Sequence, residues 1–159
     1  MKKTTLLIAL FTLITITSQA QYKLGIGARL NYGYGLSVKY KMTNSKAFEG
    51  ILYTRWHGVN ITGLYEIHKP AFQTPNWNWY YGVGGHIGFW GDGKRYGNPW
   101  FDNNNSSTII GADGILGLEY TFKEIPLNLS LDWKPALNLI GYRGLWLDDV
   151  AVTARFAIK

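Results

Sequence analysis

After Ala20, apolar and polar residues alternate one for one over stretch after stretch. A period of two marks a strand whose two faces see different surroundings. Eight strands follow from it. The first, near Tyr22–Tyr32, sets Leu24, Ile26, Ala28 and Leu30 against Lys23, Gly25, Gly27, Arg29 and Asn31. The second, near Leu36–Thr43, sets Leu36, Val38, Tyr40 and Met42 against Ser37, Lys39 and Lys41. The third, near Phe48–Trp56, opposes Phe48, Leu52 and Trp56 to Glu49, Tyr53 and Arg55. The fourth, near Val59–His68, opposes Val59, Ile61, Tyr65 and Ile67 to Asn60, Thr62, Glu66 and His68.

The pattern continues in the second half. Near Trp77–Trp90, Trp77, Trp79, Tyr81, Val83, Ile87 and Phe89 face away from Asn78, Tyr80, Gly82, Gly84, His86 and Gly88. Near Ile110–Phe122, Ile110, Ala112, Leu116, Leu118, Tyr120 and Phe122 oppose Gly111, Asp113, Gly117, Glu119 and Thr121. The seventh strand, near Leu127–Lys134, is expected to end or bulge at Pro135, which has no N–H for a ladder. The eighth, near Asp149–Ile158, alternates Val150, Val152, Ala154, Phe156 and Ile158 with Asp149, Ala151, Thr153, Arg155 and Ala157. Connections are expected at Tyr32–Gly35, Thr43–Ala47, His57–Gly58, Lys69–Asn76, Gly91–Thr108, Lys123–Pro126 and Pro135–Asp148. No linker or second composition zone breaks the series, so residues 21–159 read as one all-β domain.

The first twenty residues read differently. Lys2 and Lys3 precede an apolar run from Leu6 to Ile16, and Ser18-Gln19-Ala20 offers small residues at the positions signal peptidase accepts. Residues 1–20 are therefore expected to be an export signal cleaved after Ala20. The run is too short to span a bilayer as a helix. The chain has no cysteine, which removes both a lipoprotein anchor and disulfide stapling of an exported domain.

Composition then decides which way the faces point. Charged residues make up only 16%, against about 25% in soluble domains. A soluble lipid-binding barrel would carry many charges outside and an apolar interior. Here the polar face is sparse and small, and its charges balance. Arg29, Lys39, Lys41, Arg55, Lys134 and Arg155 stand against Glu49, Glu66, Asp113, Glu119, Asp132 and Asp149. A closed interior needs such balance, because an unpaired buried charge costs several kcal/mol. Arg29, Arg55 and Arg155 are expected to pair with Glu49, Glu66, Glu119 or Asp132. The apolar face is free of charge and tipped with Trp and Tyr, as where strands cross a lipid–water boundary. The expectation is an eight-stranded antiparallel up-and-down transmembrane β-barrel with a plugged lumen. The net charge of +6 is spread out, without the basic runs of nucleic-acid binders.

In signal, strand count and face pattern the chain resembles the small eight-stranded outer-membrane barrels of the OmpA-domain and OmpX type. The segment Ile110–Lys134 (IGADGILGLEYTFKEIPLNLSLDWK) is most similar to their late strands. The resemblance implies location in the bacterial outer membrane, contact with its lipid, and delivery by the barrel-insertion machinery. Members usually end in an aromatic residue read by that machinery, whereas this chain ends Phe156-Ala157-Ile158-Lys159. The resemblance is nearly silent on activity.

No residue set spells out a reaction. His57, His68 and His86 sit on separate strands without metal-ligand spacing, and none begins the His-x-Ser pattern of lipid A deacylases. Their expected role is lumen packing or an interfacial position. Gly82–Gly88 lacks the last glycine and the helix of a dinucleotide loop, and Asp102–Asn105 lacks the glycine and glutamate of a Ca²⁺ loop. No cofactor is expected. In loop 91–108, Lys94, Arg95, Tyr96, Trp100 and Phe101 form a basic and aromatic mixture of the kind enriched at binding hot spots. An extracellular ligand is the partner this loop suits. The expected role is structural or surface-interacting and not enzymatic. The rivals are a lipid-modifying outer-membrane enzyme and a soluble periplasmic lipid-binding barrel.

Overall fold

The computed structural model describes residues 22–55, 58–90, 107–141 and 144–158. Among them there is no helix, and every strand pairs antiparallel with its neighbours. The strands are β1 (Leu24–Leu30), β2 (Tyr34–Thr43), β3 (Lys46–Arg55), β4 (Gly58–Ala71), β5 (Thr74–Trp90) and β6 (Ser107–Thr121). Then come β7, in two segments (Leu127–Trp133 and Ala136–Ile140), and β8, also in two (Gly144–Trp146 and Val150–Ile158). Each strand pairs with the next, and the last pairs with the first through Gly27↔Arg155 and Ala28↔Ala154. The sheet closes as an eight-stranded antiparallel up-and-down barrel. Closure leaves no sheet edge to protect.

A row of directly paired residues does not return to its start. From Gly25 it runs through Lys39, Glu49, Leu64, Gly84, Asp113 and Ala136 to Trp146, near the opposite end of the barrel. This stagger is the strand tilt that closure requires. It also brings residues far apart in pairing order to one height inside.

Three connections differ from the sequence expectation. As expected, regular pairing breaks at Pro135, between Trp133 and Ala136, but Leu116↔Trp133 and Asp113↔Ala136 keep one register against β6 on both sides of it. Of the two bonds a Gly114/Pro135 pair would exchange, only the proline's is lost. The Gly114 N–H still donates to the Pro135 carbonyl at 2.9 Å. One missing bond costs about 1 kcal/mol, too little to keep the strand from resuming its register against β6. The supposed loop Pro135–Asp148 is therefore mostly strand, and β7 and β8 are separated only by residues 141–143. The irregularity lies in β8 instead, where one extra residue accumulates between Trp146 and Val150. Trp133 Nε1 donates to the Leu147 carbonyl at 2.7 Å and pins that bulge.

The expected Lys69–Asn76 connection likewise shrinks to Phe72 and Gln73, both with positive φ (53° and 55°). Two consecutive left-handed residues make the tight turn whose twist matches a hairpin. Pro70 stands at the last regular rung, opposite Asn78, and Pro75 lies inside the register shift that follows, where a missing N–H disrupts the ladder least. The first turn is Asn31–Gly33 instead of Tyr32–Gly35. The first and last described residues, Tyr22 and Ile158, and the turns at Asn44–Ser45, Phe72–Gln73 and 122–126 lie at one end of the barrel, called here the short-turn end.

Candidate functional site

Parity along each strand sends the polar positions inward, and the lumen is where the chain concentrates its chemistry. Arg29, Lys39, Glu49, Glu66, Asp113, Glu119, Asp132, Lys134 and Arg155 are all buried. Lys41 and Asp149 are nearly so, at 11% and 17% side-chain exposure. Of the charged residues expected inside, only the side chain of Arg55 lies outside the described part.

Toward the short-turn end, Lys39 Nζ sits between three carboxylates: Glu66 at 2.8 Å, Glu49 at 3.2 Å and Glu119 at 3.8 Å. Its fourth side is the ring of Tyr80, 3.9 Å away. Lys41 reaches Glu119 at 2.8 Å and lies over the Tyr22 ring at 4.4 Å. His68 bridges Glu66 (Nε2, 3.0 Å) and Glu119 (Nδ1, 3.1 Å) while stacking on Tyr80.

At mid-height Arg155 uses its whole guanidinium fork. Nη2 meets Glu49 at 2.5 Å, Nε donates to Ser37 Oγ at 2.7 Å, and Nη1 donates to Ser130 Oγ at 2.8 Å and Asn128 Oδ1 at 3.3 Å. Ser37 in turn donates to Glu49 at 2.5 Å. Arg29 meets Asp132 at 2.6 Å, and the Tyr80 hydroxyl donates to the same carboxylate at 3.0 Å. Toward the other end, Lys134 joins Asp113 (2.9 Å) to Asp149 (3.2 Å). His86 lies between Asp113 (Nδ1, 2.7 Å) and Asn138 (Nε2, 3.0 Å).

The pairing differs in part from expectation. Arg155 takes Glu49 and Arg29 takes Asp132, but Glu66 and Glu119 go to lysines and His68. Lysine serves there because its compact ammonium contacts several carboxylates at once, which a planar fork does less well. The sequence reading also omitted the neutral partners: Tyr22, Ser37, Tyr80, Asn128, Ser130 and Asn138. All but Tyr22 stand within strands at inward parity, so alternation carried the signal. Ile51, Leu64, Tyr80 and Ile115 form a small apolar cluster inside the lumen, against the simple rule of polar inside. They fill space between the charge clusters without demanding partners.

His86 is held at both ring nitrogens, by Asp113 and Asn138, whereas His68 makes one hydrogen bond, between Nε2 and Glu66, and its Nδ1 lies 3.1 Å from Glu119 without one. Among the described residues no group of His, Asp and Glu has the arrangement of a metal site. His57 and the loop candidates Lys94, Arg95, Tyr96, Trp100 and Phe101 lie outside the described residues.

The outer face is the reverse of the lumen. Leu30, Leu36, Phe48, Val83, Leu131, Val152 and Phe156 are each half or more exposed. The charged residues on the described outer strand faces, Lys46 and Lys69, both stand at the short-turn end. There aromatic rings touch in series: Phe72–Trp77 at 5.7 Å, Trp77–Tyr120 at 4.9 Å and Tyr120–Phe122 at 4.8 Å. Lys69 Nζ lies over Trp79 and Tyr81, at 5.7 and 5.9 Å. No family model matches the chain, and no curated protein matches it significantly.

Proposed function

We propose that this chain is an integral protein of the bacterial outer membrane, exported by a signal cleaved after Ala20, with a structural or surface-interaction role. The observation that carries it is the inversion of the barrel: charge buried within, apolar side chains exposed without. Water would penalise such an outer face at about 25 cal/mol per Å². A hydrocarbon surround removes that penalty. The ring-on-ring belt with Lys69 laid across it suits the boundary where a long cation reaches headgroups and its stem stays in lipid.

The lumen is a plug that fixes the relative height of the strands. An eight-stranded barrel has an interior only wide enough for its own side chains, and here ion pairs fill it. The role is non-enzymatic. Burial of His68 and His86 inside the ion-pair network, away from the outer face that would meet lipid, favours this over lipid-modifying chemistry. A soluble lipid carrier would need an apolar cavity, and the buried Lys39–Glu49–Glu66 cluster stands against one. Partners are outer-membrane lipid, the insertion machinery, and an extracellular ligand taken by the loop bearing Lys94, Arg95, Tyr96, Trp100 and Phe101.

Membrane fractionation with a heat-shift gel tests the reading. The protein should pellet with outer membranes and change mobility on boiling. Recovery in the aqueous periplasmic fraction would sink it.

A further inference from the structure

The short-turn mouth of the lumen holds a cavity of about 540 Å³, within the roughly 300–1,000 Å³ typical of small-molecule sites. Among the described residues its charged lining is Lys23 and Lys41, with no acidic residue. His68, Asn78 and Thr121 supply further polar groups, and Pro70 and Pro75 of the β4–β5 hairpin form a stiff wall.

The carboxylates beneath the cavity already face cations, although Glu66 Oε1 has no hydrogen-bond partner. Glu119 Oε1 faces Lys41 and His68, while its Oε2 accepts from Tyr22 at 3.3 Å and faces Lys39. Glu66 Oε2 is shared by Lys39 and His68. The donors above them are less fully used. Lys41 carries three N–H groups, of which Glu119 takes one. Thr121 Oγ1 accepts from Asn128 at 3.0 Å, which leaves its own hydrogen to give. Lys23 is exposed.

We infer that this mouth binds a small hydrophilic anion bearing a carboxylate or phosphate group. Lys41 and Lys23 would face its charge, with Asn78 and Thr121 donating to its oxygens. A hydrophobic ligand would leave these donors unpaired, and a cation would meet like charge. The site belongs to the barrel itself and stands whether or not the barrel inserts as proposed. If it does, the mouth opens to the periplasm.

The test uses the purified barrel in non-ionic detergent, followed by backbone NMR at His68, Asn78 and Thr121. Inorganic phosphate, citrate and glycerol 3-phosphate should each give saturable shifts there. Lys23→Gln and Asn78→Leu should weaken binding by about tenfold, the value of one charge-assisted contact. Lys41→Gln should do the same. Because it unpairs Glu119, the other two variants, which lie outside the ion-pair network, decide the matter if it fails to fold. Shifts that do not saturate, equal shifts from choline chloride, or unchanged affinity in Lys23→Gln and Asn78→Leu would overturn the site. A response to dihexanoylphosphatidylglycerol without one to glycerol 3-phosphate would overturn it too, by moving binding to the outer belt.

Discussion

Arg155 and Glu49 meet at 2.5 Å although their strands, β8 and β3, are separated in the sheet by β2 and β1. The contact is a chord across the barrel. Both groups are fully buried, so Arg155 depends on Glu49 for charge compensation, and Glu49 on Arg155 together with Lys39.

Removing either partner alone should therefore cost about 3–5 kcal/mol. Arg155→Met with Glu49→Gln should cost less than the two singles added together. Urea unfolding in lipid vesicles, run as a double-mutant cycle, measures the difference. Additive losses would mean that the pair does not act as one unit.

Leu131 faces outward, is 55% exposed, and pairs with Val152 and Leu118. In a bilayer Leu131→Arg should cost about 2–4 kcal/mol, while Lys69→Arg at the belt should cost almost nothing. Equal tolerance of arginine at both positions, read from folding equilibria in vesicles, would reverse the assignment of outside and inside.

Gly117 lies inward beneath Tyr80. A Cβ there would fall 2.5 Å from the Tyr80 ring and 2.7 Å from Asp132 Cβ. Gly117→Ala must push the ring away and break its bond to Asp132, at a cost of about 1–3 kcal/mol. Tyr80→Phe loses the same bond without the clash and should be the milder change. If Gly117→Ala unfolds no more readily than Tyr80→Phe, the close packing is not there.

Asp149 sits in the β8 bulge, outside the paired segments. Burial alone would raise its carboxyl, but Lys134 and Arg29 outweigh that and hold it below the usual aspartate range. Its contribution is then full above the unfolded value of about 3.9 and is lost as pH falls through the folded value. The stability gap between the native chain and Asp149→Asn should be constant above about pH 5 and close on further acidification. Denaturant midpoints across this range check it, and a gap that widened in acid would contradict the sign.

Strand number and the facing of nearly every side chain were legible in the chain itself, because period-two alternation is local and each strand has two unlike sides. The same alternation placed Tyr80, His68 and His86 inward before any contact was known. Local signals failed where neighbours outvoted them. Pro135 interrupts regular pairing, yet β6 restores the same register at Ala136, and the extra residue falls in β8 opposite it. Pro70 and Pro75 look like a loop, but Pro70 stands on a rung and Pro75 in the bulge of a hairpin closed by Phe72 and Gln73. Partner choice in the lumen was beyond sequence altogether. Which carboxylate Arg155 meets depends on the stagger accumulated around the whole barrel, and that quantity exists only once the last strand has paired with the first. The chain by itself determined which residues are inside; closure decided which of them touch.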